Sequence, residues 1–204
     1  MSETHIGNWE IATVLDKQVP ADVWRVKQVH GGKINEVGDS SDADGLVTRA
    51  GEQTIGIATA DCMPAVFVTP KKALALHISR KSIINGLLDA VPNHIKPADI
   101  IGVYIGPHIC SEHFVFEFEG EEIKTFRQQF PEATRDTDTG LSLTLRDALQ
   151  TYLGRWGVAR NIVVEDGRCT QEHAELPSYR RSLAEGKPLA GQLVTYVRSS
   201  TESS

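Results

Sequence analysis

The feature of this sequence that most constrains its fold is a series of short apolar runs, rich in β-branched residues and separated by turn residues. Runs of this kind are typical of β-strands. They do not alternate regularly with long helices, as a doubly wound or barrel fold would require. Strands are predicted over residues 24–30, 45–48, 54–59, 65–68, 73–78, 100–105, 114–118, 162–165 and 192–197.

Helices are fewer. Apolar residues recur at three- and four-residue intervals over residues 83–91, 121–130 and 143–156, which predicts helices there. The polar stretch 131–140 is predicted to be a surface loop. The sequence therefore favours a mixed-sheet α/β (α+β) fold, with a single domain over residues 1–198 and a disordered tail over residues 199–204.

Charge and cysteine content exclude several classes of protein. The formal net charge is -6, from 21 Lys and Arg against 27 Asp and Glu, which argues against a nucleic-acid partner. No apolar run reaches the ~20 residues of a membrane helix, and residues 1–5 do not resemble a signal peptide. Three cysteines without a pairing pattern argue against a disulfide framework. We expect a reduced, cytoplasmic protein; a homodimer is left open.

One cysteine and two histidines share a sequence context that suggests a metal site. Cys62 follows an apolar strand and precedes a proline, His30 ends a strand before two glycines, and His77 ends an apolar run. Zinc binds imidazole nitrogen and thiolate sulfur, and three protein ligands leave its fourth position open, as in catalytic sites. The three residues lie far apart in the chain, so only the fold could assemble them.

Each of these residues also has a simpler interpretation. A free cysteine is most often a small buried hydrophobic residue, and this remains the alternative for Cys62. The other histidines lack the strand-end context, and surface or capping roles are expected for them. They are His5, His94, His108, His113 and His173.

A second group of polar residues lies near the C-terminus. Arg180 and Arg181 are adjacent, and two guanidinium groups can bind a phosphate or a carboxylate. The alternative is a pair of surface cations that balance Glu172 and Glu175. Asp42 and Asp44 are candidate general acids, although Asp44 also precedes a glycine in what reads as an ordinary turn.

Several motifs together resemble the laccase-domain family, once called multicopper polyphenol oxidoreductases, which includes the bacterial peptidoglycan editing factor. The Thr-Ala-Asp-Cys and Gln-Val-His-Gly motifs are the most specific of them. In family order the matching pieces are Gln28-Val29-His30-Gly31, Ala43-Asp44-Gly45-Leu46-Val47-Thr48, Thr59-Ala60-Asp61-Cys62-Met63-Pro64, His77, Ile105-Gly106-Pro107, Gly157-Val158, Cys169-Thr170 and Ser178-Tyr179-Arg180-Arg181.

The resemblance implies a single α/β domain related to the cytotoxic-necrotizing-factor-like cysteine hydrolases. It also implies a metal site made of His30, Cys62 and His77, the same three residues that the strand-end argument selects. Family members are described as purine nucleoside phosphorylases that also deaminate adenosine and cleave methylthioadenosine. An older description is that of copper-dependent polyphenol oxidases.

The chain departs from the family pattern around the third ligand. The family reads His-Ala-Gly-Trp-Arg-Gly there, whereas this sequence reads His77-Ile78-Ser79-Arg80-Lys81-Ser82. Arg80 and Lys81 retain positive charge, and Arg80 is expected to bind substrate together with Tyr179 and Arg180. The family's N-terminal motifs, Thr-Arg-x-Gly-Gly and Asn-Leu-Gly, have no counterpart ahead of Trp24.

The leading hypothesis from the sequence is a zinc-dependent enzyme, with copper as the alternative metal, that acts on a purine nucleoside and phosphate. Cys62 and the two histidines hold the metal, Arg180 and Arg181 bind an anionic group, and Asp61 accepts a proton from a ligating imidazole. One alternative is a metal-free hydrolase or amidase that acts on a peptidoglycan precursor, with Cys62 as nucleophile and His30 or His77 as its base. The other alternative is a metal-binding protein without turnover.

Overall fold

The computed structural model describes residues 2–117 and 120–200, which contain thirteen strands and five α-helices. The strands are β1 (Ser2–Ile6), β2 (Trp9–Leu15), β3 (Ile34–Glu36), β4 (Gly45–Arg49), β5 (Ile55–Thr59), β6 (Met63–Val68), β7 (Lys72–Ile78), β8 (Gly102–Ile105), β9 (Val115–Phe116), β10 (Thr134–Thr137), β11 (Gly140–Leu143), β12 (Val163–Glu165) and β13 (Leu193–Ser199). The helices are α1 (Arg80–Ile84), α2 (Leu87–Ala90), α3 (Glu121–Gln129), α4 (Leu145–Arg155) and α5 (Tyr179–Ala184).

A mixed six-stranded sheet is the centre of the molecule. Its order is β12-β8-β6-β7-β4-β3, with antiparallel pairs in the middle and a parallel pair at each end. Strands β1, β2, β13 and β5 form a second, antiparallel sheet in that order, and β10, β11 and β9 form a small third one. The prediction of a mixed α/β single domain is confirmed.

The side chains of β6 alternate between two apolar cores because successive residues of a strand face opposite sides of the sheet. Val66 and Val68 pack with Trp9 and Ile57 between the two larger sheets. Ala65 and Phe67 belong to the other core, which contains the apolar residues of the helices. The order of layers is therefore sheet, sheet, helices, and every residue of β6 is buried.

The free edge of β5 is covered by the segment before β3. The amide of Trp24 donates to Thr54 O, and its carbonyl accepts from the amide of Gly56. Four residues later the carboxamide of Gln28 donates to Ala58 O at 2.7 Å and accepts from Ala58 N at 2.8 Å. One backbone unit and one side chain thus stand where a neighbouring strand would pair.

Most predicted strands are confirmed within one or two residues, but the prediction over residues 24–30 is wrong. Only Trp24 forms a bridge there, and the rest of that segment is irregular. The predicted strand 114–118 is shortened to Val115–Phe116, and its last residue lies outside the described residues. The loop predicted over 131–140 is also wrong: after a 3-10 turn it contains β10, which pairs with β11.

Two of the predicted helices, α3 and α4, are confirmed, but the helix predicted over 83–91 is broken in two. Gly86 has a φ of 84°, outside the helical region, and separates α1 from α2. The sequence reading missed α5 and the hairpin of β1 and β2. Strand β13 extends through Ser199, and residues 201–204 of the predicted tail lie outside the described residues. No helix in the described part of the chain is long and apolar enough to span a membrane.

Phe67 gives a test of the core on the helix side of the central sheet. Its side chain is fully buried, and its ring packs edge-to-face with that of Trp156, with 5.9 Å between the ring centroids. Phe67→Ala should lower the free energy of unfolding by about 3–5 kcal/mol, since it leaves a cavity. Urea denaturation measures this. Leu183→Ala, at a side chain 62% exposed on α5, is the control and should change stability by less than about 0.5 kcal/mol.

Candidate metal centre and pocket

A cavity of about 1120 Å³ opens where the two larger sheets meet α1 and α5. Its walls come mainly from four parts of the chain: the irregular segment 23–30, the end of β5 and the turn that follows it, the junction of β7 with α1, and the start of α5. Phe114 and Phe116 add an aromatic wall. All three of the predicted metal ligands line this cavity.

His30, Cys62 and His77 come together although they lie far apart in the sequence. One ligand atom from each lies within 4.8 Å of the other two. Cys62 Sγ is 3.9 Å from His30 Nε2, and the imidazole rings of the two histidines are 4.8 Å apart between centroids. Two imidazoles and a thiol at this separation form a donor set that suits zinc or copper. His77 is buried, Cys62 half-buried and His30 exposed at the cavity.

The carboxylate of Asp44 holds both histidines in place. It accepts a hydrogen bond from His77 Nδ1 at 2.7 Å, which leaves Nε2 as the ring nitrogen available to a metal. It also accepts hydrogen bonds from the backbone amides of Val29, His30 and Gly31 at 3.1, 2.9 and 2.6 Å. Carboxylates that orient a ligating imidazole in this way are characteristic of metal sites. From its sequence context Asp44 is a candidate general acid or an ordinary turn residue, and its contact with His77 is not predicted.

The turn that carries His30 is tightly built. His30 has a φ of 59°, an unusual value for a residue with a side chain. Its carbonyl accepts from the side chain of Asn85 at 2.9 Å, which ties the turn to the end of α1. A Cβ at Gly32 would lie 1.9 Å from the Asn85 carbonyl oxygen, so only glycine fits there. Residues outside the pocket therefore fix the backbone turn from which the His30 side chain extends.

The protonation of the ligands follows from their surroundings. Burial raises the pKa of the Cys62 thiol to about 12, and the negative charges of Asp61 and Asp44 act in the same direction. Burial lowers the pKa of His30, and repulsion from His77 adds to the effect. Without a metal, the thiol therefore keeps its proton at neutral pH while His30 is neutral. A bound cation would displace the thiol proton.

Asp61 does not contact an imidazole, so the prediction that it accepts a proton from one is wrong. Its carboxylate accepts from Thr170 Oγ1 at 2.6 Å and from the amide of Arg180 at 2.8 Å. It is buried, with a φ of 87°. Asp61 instead joins the turn before Cys62 to the start of α5, and Asp44 is the residue that contacts an imidazole.

The two arginines predicted to bind an anion point in different directions. Arg180 lines the cavity, lies over the Phe116 ring at 4.5 Å and donates to the carbonyl of Val115 at 2.6 Å. Arg181 is absent from the cavity wall, and its guanidinium donates to backbone carbonyls of the 170–176 loop. The prediction that Arg181 binds the anion does not agree with this geometry.

The other two predicted substrate-binding residues lie in the cavity wall. Arg80 lies 4.9 Å from the Phe116 ring centroid and pairs with Glu122, whose pKa is lowered mainly by that hydrogen bond. Tyr179 is 53% exposed, which is high for a tyrosine. Arg180 and Arg80 thus contact the same phenylalanine ring.

Two of the remaining histidines differ in their surroundings. His173 pairs with Glu175 at the surface, whereas His108 is half-buried and its Nδ1 lies 2.9 Å from Gly106 O. His113 differs, because it lies beside Cys110 and Glu172 in a second set of potential ligands.

Comparison with known proteins identifies the family. The sequence profile of the family described as multi-copper polyphenol oxidoreductase laccase matches residues 8–198. The chain belongs to this family. The match begins within the hairpin of β1 and β2, ahead of the first motif recognised in the sequence.

The sequence identity to individual relatives is low. The chain is 29% identical over 199 residues to a purine nucleoside phosphorylase of Streptomyces coelicolor, covering 91% of this chain and 80% of that protein. It is 29% identical over 150 residues to an adenosine deaminase from an unknown prokaryotic organism, covering 68% and 56% respectively.

Among solved structures, YlmD from Geobacillus stearothermophilus superposes with a TM-score of 0.72 at 25% identity, covering 87% of this chain and 74% of that one. The fold is therefore that of YlmD. The predicted relation to cytotoxic-necrotizing-factor-like hydrolases stays a prediction.

The role of Asp44 can be tested by stability. Asp44→Asn should lower the free energy of unfolding by about 3 kcal/mol at neutral pH, because the amide cannot accept all the hydrogen bonds that the buried carboxylate accepts. Asp42→Asn is the matched control, since Asp42 is exposed and pairs with the exposed Lys27 at 3.4 Å, and it should cost less than about 0.5 kcal/mol. Denaturant titration in the presence of a chelator measures both. Equal losses would contradict the assigned role.

Proposed function

We propose that this protein is a zinc-dependent purine nucleoside phosphorylase, in which His30, Cys62 and His77 hold the metal at the wall of the cavity. The main support for the proposal is that these three side chains lie close together in a chain that belongs to this family. Two relatives support the substrate: one is named a purine nucleoside phosphorylase and another an adenosine deaminase. Both names refer to purine nucleosides.

The residues present fit a zinc ion. Two imidazoles and one thiol that can lose its proton make three ligands, and Asp44 orients the imidazole of His77 through its Nδ1. When bound, zinc supplies Lewis-acid stabilisation of negative charge on a neighbouring oxygen. Copper would accept the same donors, and zinc is the proposed ion because the reaction needs no redox change.

The rest of the cavity can hold the two substrates. Arg180 and Arg80 bring two positive charges to one wall and are proposed to bind phosphate. Phe114, Phe116 and the exposed Tyr179 offer aromatic faces for a purine base. Asp61 holds the amide of Arg180, so its role in the proposal is to position α5 rather than to exchange a proton.

Deamination of adenosine and cleavage of methylthioadenosine are further activities in the proposal, and the first is supported by the name of the deaminase relative. The same binding groups would serve these substrates. The cytoplasmic location and a homodimer stay predictions.

The alternative of a metal-free cysteine hydrolase is disfavoured by the surroundings of Cys62. An activated nucleophile needs a thiolate near neutral pH, whereas burial raises the pKa of this thiol to about 12. His30 Nε2 is 3.9 Å from the sulfur, a distance too long for strong activation of the thiol. A metal-binding protein without turnover would keep the metal and lack the reaction.

Metal content tests the site itself. Protein purified without added metal should contain about one zinc per chain, measured by elemental analysis. His30→Ala, Cys62→Ala and His77→Ala should each lose most of it, whereas His5→Ala, at an exposed position on β1, should keep it. Absence of zinc and copper would contradict the metal site. Alkylation of Cys62 in the purified protein faster than that of Cys110 and Cys169 would favour the hydrolase instead.

Phosphorolysis tests the reaction. Adenosine or inosine with inorganic phosphate should yield free base and ribose 1-phosphate, detected by chromatography. Arg180→Ala should lower kcat/KM for phosphate about 10- to 100-fold, because it removes a charge-assisted hydrogen bond. Arg135→Ala, at an exposed position on β10, should leave it unchanged. Stoichiometric metal with no base released would support the binding protein without turnover.

A further inference from the structure

Cys110 and Cys169 form a pair that the metal site does not use. Their sulfur atoms are 2.6 Å apart, and the amide of Cys110 donates to Cys169 Sγ at 3.1 Å. Backbone contacts hold the two loops together, since His108 and Cys169 form an isolated parallel bridge and the amide of Thr170 donates to His108 O at 3.1 Å. The contact is therefore set by the fold, between a loop after β8 and a loop after β12.

We propose that Cys110 and Cys169 form a reversible disulfide that links these two loops. The proposal does not depend on the enzymatic function. A pairing of this kind agrees with the odd number of cysteines, because Cys62 is left over at the metal site. In a reducing compartment such pairs are usually transient and redox-sensing rather than structural.

The oxidation proceeds by exchange with a low-molecular-weight disulfide such as glutathione disulfide. The Cys110 thiol loses its proton to solvent, and its sulfur attacks one sulfur of the reagent and expels one thiolate. Cys169 then loses its proton and attacks Cys110 Sγ, expelling the second. One S–S bond forms in the protein and one breaks in the reagent. The two electrons that the protein loses reduce the reagent to two thiol molecules.

The surroundings decide which cysteine reacts first. Cys110 is half-buried, whereas Cys169 is buried with 4% of its surface exposed. Cys110 is therefore the thiol that the reagent reaches first. Burial, together with the neighbouring Cys169 thiol and the acidic Glu112 and Glu172, raises the pKa of Cys110. Oxidation should therefore be slow at neutral pH and faster as the pH rises.

The two loops also support the wall of the cavity. Thr170, next to Cys169, donates to the Asp61 carboxylate at 2.6 Å, and the amide of Ile109, next to Cys110, donates to Asp61 O at 2.9 Å. The Asp61 carboxylate in turn accepts a hydrogen bond from the amide of Arg180. The disulfide would thus restrain the loops that hold the turn before Cys62.

The test uses the protein as purified, equilibrated with oxidised or reduced glutathione. After trapping, free thiols are alkylated in denaturant and located by peptide mass analysis. In the oxidised protein only Cys62 should be alkylated. In the reduced protein all three cysteines should be. Oxidation should raise Tm by on the order of 10 °C, because the bond closes a long loop.

Cys110→Ser should abolish the difference in Tm between the two redox states, whereas Cys62→Ser should keep it. Cys110 is the better position for the variant because its side chain is less buried than that of Cys169. Alkylation of all three cysteines after oxidation would overturn the proposal. So would a second zinc per chain that is lost in His113→Ala, since Cys110, His113 and Glu172 would then be metal ligands.

Discussion

The carboxylate of Asp44 makes the contacts on which the geometry of the site depends. It is fully buried, and a buried charge is costly unless hydrogen bonds compensate for it. Three backbone amides and one imidazole provide that compensation. Because the amides belong to the turn that carries His30 and the imidazole is that of His77, one side chain positions two of the three proposed ligands. Burial acts to raise its pKa, but these hydrogen bonds outweigh it and the pKa of Asp44 is lowered.

The sequence predicts the central strands well because their physical signal is local. Strands β4 to β8 are short apolar runs bounded by turn residues, and a strand buried on both faces has this pattern. The signal fails where pairing is set by distant residues. The segment 24–30 has the composition of a strand, yet β5 accepts it through only one backbone unit and one glutamine side chain. Strand β10 is polar because it is largely exposed, so its sequence resembles a loop.

The proposed metal ligands were predictable because their chemistry is distinctive, whereas their supporting residues were not. Asp44 looks like a turn residue in the sequence, and only the fold brings its carboxylate to His77. Asp61 looks like the partner of an imidazole because it precedes Cys62, but it lies in a turn, with a φ of 87°, that directs its carboxylate to Thr170 and to the amide of Arg180. Arg181 differs from Arg180 by one position on α5, and that rotation of about 100° turns it towards the 170–176 loop.

The cover over the edge of β5 has a consequence for self-association. An exposed strand edge is a template on which another chain can add a strand. At β5 that position is occupied by Trp24 and by the Gln28 carboxamide, which satisfies both the donor and the acceptor of Ala58. Gln28 lies two residues before His30, so the segment that leads into the proposed metal site also keeps this edge closed to other copies. A substitution that loosens it would expose a surface prone to aggregation as well as displace a ligand.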